Sequence, residues 1–264
     1  MGKKYCGVNM GKIITISNQK GGVGKTTTII NLGYALSLLD MKVLIIDLDP
    51  QGNATSGLGV KLADSQPTIY EVMMTKLDIK SAIIKRNNID LVPSNIHLSG
   101  ATIELINEHN REYKLAKALE SIKDNYDYIF IDTPPSLGLL TINALAASDE
   151  VMIPVQCEFF ALEGLSQLLK TIKKVQSVIN NKLVLNGVVL TMYDNRTNLS
   201  KEVYEEVKKY FEQKLYKTVI PRNVSIAESS SHGISVIEYE PKSSGSISYM
   251  NLAKEFLQQI SVGV

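Results

Sequence analysis

KIITISNQKGGVGKTTT, residues 12–28, is the stretch on which the fold turns. Its first six residues are apolar or β-branched and read as a buried strand. From Thr26 to Leu39 the pattern changes to helix length and periodicity, with Ile29, Ile30, Leu32, Leu36 and Leu39 available for burial. Between strand and helix, Gly21, Gly22 and Gly24 let the backbone turn tightly, so that successive N–H groups face a single anion. The helix beginning near Lys25 adds the positive end of its dipole. Gly24-Lys25-Thr26 then closes the turn as a phosphate loop closes. Lys25 can reach the β- and γ-phosphates, the Thr26 hydroxyl can ligate Mg²⁺, and Thr27 can bond the α-phosphate. A glycine turn before a helix explains the glycines alone, not the Lys-Thr that follows them. Gln19 replaces the first glycine of the general pattern, and Lys20 adds a lysine that a phosphate loop does not need.

Outward from this loop, apolar runs alternate with helical patterns. Strands are expected at 12–17, 42–49, 89–94, 126–136, 150–155 and 183–191, with a last one at 216–221. Helices are expected at 26–39, 111–123, 138–147, 160–178, 200–214 and 245–260. The nearly continuous apolar character of KVLIIDLD (42–49) suits a parallel strand covered on both sides. The alternation predicts a single-domain α/β fold, a mostly parallel twisted sheet with helices on both faces. Residues 1–9 read as a short extension and 10–264 as the domain.

Composition narrows the function. At 264 residues and 44% hydrophobic the chain can bury a large core, yet it has no apolar run of the roughly 18–20 residues a membrane span needs. MGKKYCGVNMGK lacks the apolar centre of a secretory signal, and Cys6 stands where a myristoylation motif wants Ser or Thr, so a cytosolic protein is expected. Cys6 and Cys157 are too few for a four-thiolate site. His97, His109 and His232 have no metal-ligand spacing and read as surface or loop residues. With a net charge of +1, any grip on nucleic acid must come from a local patch.

Three carboxylates accompany the loop. Asp47 and Asp49 end a strand in DLDPQGNATSGLG (47–59); two apart, they point the same way, toward the sheet's carboxyl edge. Asp47 reads equally as a strand-end cap. Asp132 follows four apolar residues in YIFID and suits a carboxylate on the magnesium side, acting through a coordinated water. No N-K-x-D sequence is present to select guanine, which favours adenine.

The form K-G-G-x-G-K-T-T at residues 20–27 resembles the deviant Walker A loop of the ParA/MinD family of P-loop ATPases. The likeness continues from Met10 onward. PVQCEFFALEGLSQLL (154–169), TMYDNRTNLS (191–200), YKTVIPRNVSIAE (216–228) and the C-terminal region look like the chromosome-partitioning Soj branch. DTPPSLGLLTINAL (132–145) resembles that family's second switch, stiffened by Pro134 and Pro135.

The resemblance implies ATP and Mg²⁺ as cofactors and residues 20–27, Val23 included, as the nucleotide-binding stretch. It implies Lys20 and Lys25 at the phosphates, Lys20 across a dimer interface at the partner's nucleotide; as a bland alternative Lys20 is a solvated loop lysine. Asp49 would position the attacking water, and Asp47 would support the magnesium held by Thr26 and Asp132. Pro221 and Asn223 would contact the base, although a turn also favours both residue types. A homodimer formed on ATP, non-specific binding of double-stranded DNA on the nucleoid, and hydrolysis stimulated by a ParB-like partner complete what the resemblance implies, without membrane binding. Arg196 matches a family arginine at DNA; Lys208, Lys209, Lys214, Lys217 and Arg222 are basic neighbours of the same patch, or a solvated helix face. A second family arginine is here Ser225, which weakens the patch. A MinD-like membrane ATPase is the competing reading, but the tail 248–264 has Lys254 beside Glu255 and little positive charge.

Overall fold

The computed structural model describes residues 11–86, 88–158 and 161–262. The expected extension 1–9, with Cys6, lies outside them. Seven strands form one sheet: β1 (Lys12–Ile16), β2 (Val43–Asp47), β3 (Ile84–Arg86), β4 (Ile89–Val92), β5 (Tyr128–Asp132), β6 (Glu150–Gln156) and β7 (Val184–Thr191). Their order is β3-β4-β2-β5-β1-β6-β7, and all neighbours are parallel except β3 on β4.

Alternation along the strands sends side chains to opposite faces. Ile14 and Ile16 of β1, Val43 and Ile45 of β2, and Tyr128 and Phe130 of β5 pack under helices Lys25–Ser37 and Ser244–Val262. Their intervening neighbours Ile13, Leu44, Ile46, Ile129 and Ile131 meet helices Ile69–Thr75, Leu98–Glu104, Lys114–Leu119 and Leu139–Ala147. Helices Ala161–Val178 and Asn198–Phe211 cover that face of β6 and β7. The sheet is therefore a three-layer core, and its carboxyl edge is free to carry loops.

Register builds the edge. Ile16 pairs with Asp132 and Asp132 with Asp47, so the residue before the glycine loop and two of the expected carboxylates stand in one row across β1, β5 and β2.

Three expectations need correction. No strand forms at 216–221: Leu215 and Pro221 make isolated bridges to Val188 and Tyr193, because the intervening N–H groups of Lys217 and Thr218 turn to the Glu255 carboxylate instead, at 2.7 and 2.9 Å. The helix expected over 111–123 is a short α-helix, Lys114–Leu119, between 3₁₀ turns. Beyond Phe211 the chain leaves the α-helix for a 3₁₀ turn, with Glu212 at φ 36°.

Cys157 is a free thiol, and burial pushes its pKa up to about 12. Phe256 closes the core under the sheet, its ring edge-on to Tyr128 at 5.2 Å between centroids. We expect Phe256→Ala to lower unfolding free energy by about 3–5 kcal/mol, read from the urea midpoint at unchanged m-value.

Candidate active site

The loop between β1 and helix Lys25–Ser37 is held by few contacts, each with a cause. Gly22 and Gly24 adopt left-handed φ of 72° and 86°, which a side chain would oppose. The Asn18 amide donates to the Pro154 carbonyl at 2.7 Å, and its oxygen accepts the Lys20 N–H at 3.0 Å. Thr191, at the end of β7, donates to the Val23 carbonyl at 2.8 Å, so Val23 is buried as a support. Gly24 caps the helix without a side chain, and no acidic residue occupies the first turn. The helix's first N–H groups and its dipole are thus left to an external anion.

A cleft of about 590 Å³ opens above this loop. Gly21, Gly22, Gly24, Lys25, Thr26 and Thr27 line one wall and Asp49 another, so seven expected site residues meet in one place. Pro135 closes over Gly21. Ile30, Asn53, Ser56, Gly57, Met192, Ser230 and Ser231 complete the cleft. Asn53, Ser56 and Gly57 belong to the stretch 47–59 and Met192 to 191–200, both singled out in the sequence; the two serines come from a polar helix end that resembles any surface turn, so no sequence signal marked them.

Electrostatics under the cleft are those of charges taken out of water. Lys25 is buried, and desolvation lowers its pKa against the pull of Asp132 and Asp49. Its Nζ turns back to the Lys20 carbonyl at 3.3 Å. Thr26 donates to Asp132 Oδ2 at 2.6 Å, while the other Asp132 oxygen, also buried, has no hydrogen-bond partner among the described residues. Burial first, and the Asp47 charge second, raise the Asp132 pKa. Asp47 is raised by burial as well, despite accepting from Thr55 N–H (2.8 Å), Thr55 Oγ1 (2.7 Å) and Asp49 N–H (3.2 Å). Both its oxygens are engaged, as its alternative reading as a cap requires.

No cluster of three metal-ligating side chains exists among the described residues. Magnesium keeps several waters and binds through few protein oxygens plus phosphate. The hard oxygens of Thr26 and Asp132, one of them without a partner, fit such an ion, with Asp47 behind them.

Lys20 stands apart from Lys25. Its ammonium lies outside the cleft lining and pairs with Glu158 at 2.8 Å, both side chains being partly exposed. Pro221 and Asn223 are also outside the lining: Asn223 caps helix Val224–Ser231 through Ile226 N–H and donates to Ser244, and Pro221 bridges to Tyr193, the neighbour of the cleft residue Met192. Of the basic residues, Arg196 is 84% exposed at its side chain and grips Asp194 with two bonds of 2.9 and 2.7 Å. That arginine holds the Asp194 carboxyl down at about 2, and Arg222 adds to the pull. Lys209 pairs with Glu206, and Lys208 lies over the Tyr204 ring. Lys214 and Lys217 are exposed.

Two glycines join the cleft's far walls. Gly59 and Gly233, at φ 69° and 68°, pack backbone on backbone: a Cβ on Gly233 would lie 2.4 Å from Gly59 Cα.

A strand, a glycine loop ending in a buried lysine and a threonine, and a helix opening on a buried carboxylate define a P-loop nucleoside-triphosphatase site. Comparison with known proteins narrows the class. The AAA domain family model matches residues 11–185. The sporulation initiation inhibitor protein Soj of Bacillus subtilis is 58% identical over 249 residues, 93% of this chain and 98% of that protein. The chromosome-partitioning ATPase Soj of Treponema pallidum is 49% identical over 94% and 98%. Among solved structures, cobyrinic acid a,c-diamide synthase from Mycobacterium smegmatis, with bound ADP and magnesium, superposes at TM-score 0.85 with 36% identity over 97% of each chain. The cell division ATPase MinD of Pyrococcus furiosus does so at 0.77 with 27% identity, over 97% of this chain and 100% of that one. The chain belongs to the ParA/Soj family of chromosome-partitioning ATPases.

Replacing the buried cation separates its cost from its use. In Lys25→Met we expect thermal melts without nucleotide to stay within a few degrees of the parent, while the rise in Tm that ATP with magnesium gives the parent disappears.

Proposed function

We propose that this chain is an ATP-dependent dimerising switch: it pairs on ATP, binds double-stranded DNA without sequence preference, and is returned to monomers when a ParB-like partner stimulates hydrolysis. Its task is segregation of a chromosome or plasmid, on the nucleoid. The observation that carries this reading is the separation of the two lysines. Lys25 is buried within its own cleft; Lys20 lies outside the cleft lining and pairs with partly exposed Glu158. Such a pair is worth about 1 kcal/mol or less, so the Lys20 ammonium exchanges readily onto a triphosphate in a second copy. Pairing is then favourable only when ATP is there to receive it.

Within one cleft, Lys25 and the loop N–H groups hold the β- and γ-phosphates, Thr27 the α-phosphate, and Thr26 with Asp132 the metal. Magnesium, when bound, offsets charge on the phosphate oxygens. Asp49, held beside the loop, orients the attacking water. The adenine lies toward Pro221 and Asn223, a placement supported by Met192 in the cleft and the Tyr193–Pro221 bridge next to it. Arg196, Arg222, Lys208, Lys209 and Lys217 face DNA phosphates. Membrane binding through the last helix is disfavoured, since Leu252, Ala253, Phe256 and Leu257 already serve the core.

The deciding experiment is the ATPase rate with and without DNA and a ParB-like N-terminal peptide. A low basal rate, strongly raised by the two together, is expected; a rate indifferent to both overturns the switch. Arg196→Glu should lose DNA retention while ATP affinity is kept, tested by filter binding alongside nucleotide titration. Asp49→Ala should remain dimeric on ATP, with turnover lost; a monomer at saturating ATP in size-exclusion chromatography counts against its role. Lys20→Met should bind ATP without pairing.

A further inference from the structure

We infer that Thr55 is a positioning residue for hydrolysis: its hydroxyl fixes the buried carboxylate that holds Asp49, and ties it to the exit of β4. Thr55 touches no part of the cleft; it is 4% exposed and faces the sheet from the short helix Asn53–Gly57. Its single hydroxyl proton goes to Asp47 Oδ2 at 2.7 Å, and its lone pair accepts the Ser94 N–H at 3.0 Å. With both functions used, the hydroxyl cannot rotate without orphaning a buried group.

The chain of contacts then runs toward the chemistry. Asp47, gripped by Thr55 at one oxygen, accepts the Asp49 N–H at the other. The Asp49 carboxylate in turn accepts from Gln51 N–H at 3.0 Å, and the Asp49 carbonyl accepts from Gly52 N–H at 2.9 Å. Gly52, at φ 63°, starts the helix that carries Thr55 and presents Asn53, Ser56 and Gly57 to the cleft. The loop is thus closed on itself at two points, the Asp49 backbone and Thr55, both on Asp47. Ser94, just after β4, is the outside anchor. A residue fixed in this way sets where the Asp49 carboxylate sits, without touching nucleotide.

This inference rests on the proposed role of Asp49 at the attacking water, and the test separates the two. In Thr55→Val the shape and the Thr55 N–H bond persist while the hydroxyl is lost. Turnover should fall by about tenfold or more, as displacement of a charge-bonded group by a fraction of an ångström does. Affinity for a non-hydrolysable ATP analogue should stay within about twofold, because the loop at 21–27 is untouched. Amide hydrogen exchange should quicken at Asp49 and Ser94 and stay unchanged at 21–27. Thr55→Ser, which restores the hydroxyl, should recover turnover and protection. Should the valine variant fail to fold, Thr55→Ala takes its place against Thr55→Ser, and their ratio of turnovers reads the hydroxyl alone. Parental turnover in the valine or alanine variant, with Asp49→Ala inactive, overturns the inference and leaves Asp49 in its role. So does a serine variant as slow as the valine one. Parental turnover in Asp49→Ala removes both.

Discussion

Three parallel strands that end level with one another bring Ile16, Asp132 and Asp47 into a row, and the loop that follows folds Lys25 over the middle of it. Charges this deep in a protein are costly to desolvate: burial pushes the carboxyls of Asp47 and Asp132 up and the ammonium of Lys25 down, and like charges beside the carboxyls push the same way. Within the chain, the relief is partial. Asp47 has three donors, Asp132 has one and a bare oxygen, and Lys25 has a distant carbonyl. What completes such a set is a polyanion with its cation. Solved relatives hold that combination, as ADP with magnesium in the synthase from Mycobacterium smegmatis.

The parts of this arrangement that local chemistry dictates could be read from residues alone. Left-handed glycines before Lys-Thr, apolar runs ending in aspartate and the strand–helix spacing all carry their own reason, and the loop, the three carboxylates and the parallel sheet follow from them. Other parts depend on partners distant in the chain. Nothing near 216–221 shows that Glu255 will take its N–H groups, so the run looks like one more strand. Helix Asn53–Gly57 is five residues, all but Ala54 poor helix formers, and starts at Gly52 beside the Asp47 carboxylate. Ser230 and Ser231 reach the cleft from the end of helix Val224–Ser231, whose start Asn223 caps. β3 is three residues that pair antiparallel with β4. In each case the decisive contact is tertiary, and periodicity is silent about it.

The same scaffold carries a synthase, a MinD and the Soj proteins among the solved and curated relatives, which is the usual relation between a fold and its uses. Outside the row of carboxylates this chain carries paired surface cations: Lys20 on Glu158, Arg196 on Asp194, Lys209 on Glu206. Each cation has a neighbouring acid of its own chain, which keeps a nearly neutral protein from adhering to every anion it meets while leaving each pair cheap to exchange in water.

The contact between Gly59 and Gly233 has a mechanical meaning. A hinge with side chains can slip, since rotamers absorb small displacements. Two bare main chains in van der Waals contact have nothing to yield, and here one belongs to the segment leaving Asp49 while the other follows Ser230 and Ser231. The two segments that flank the cleft therefore meet main chain against main chain at that spot, where any side chain would force them apart.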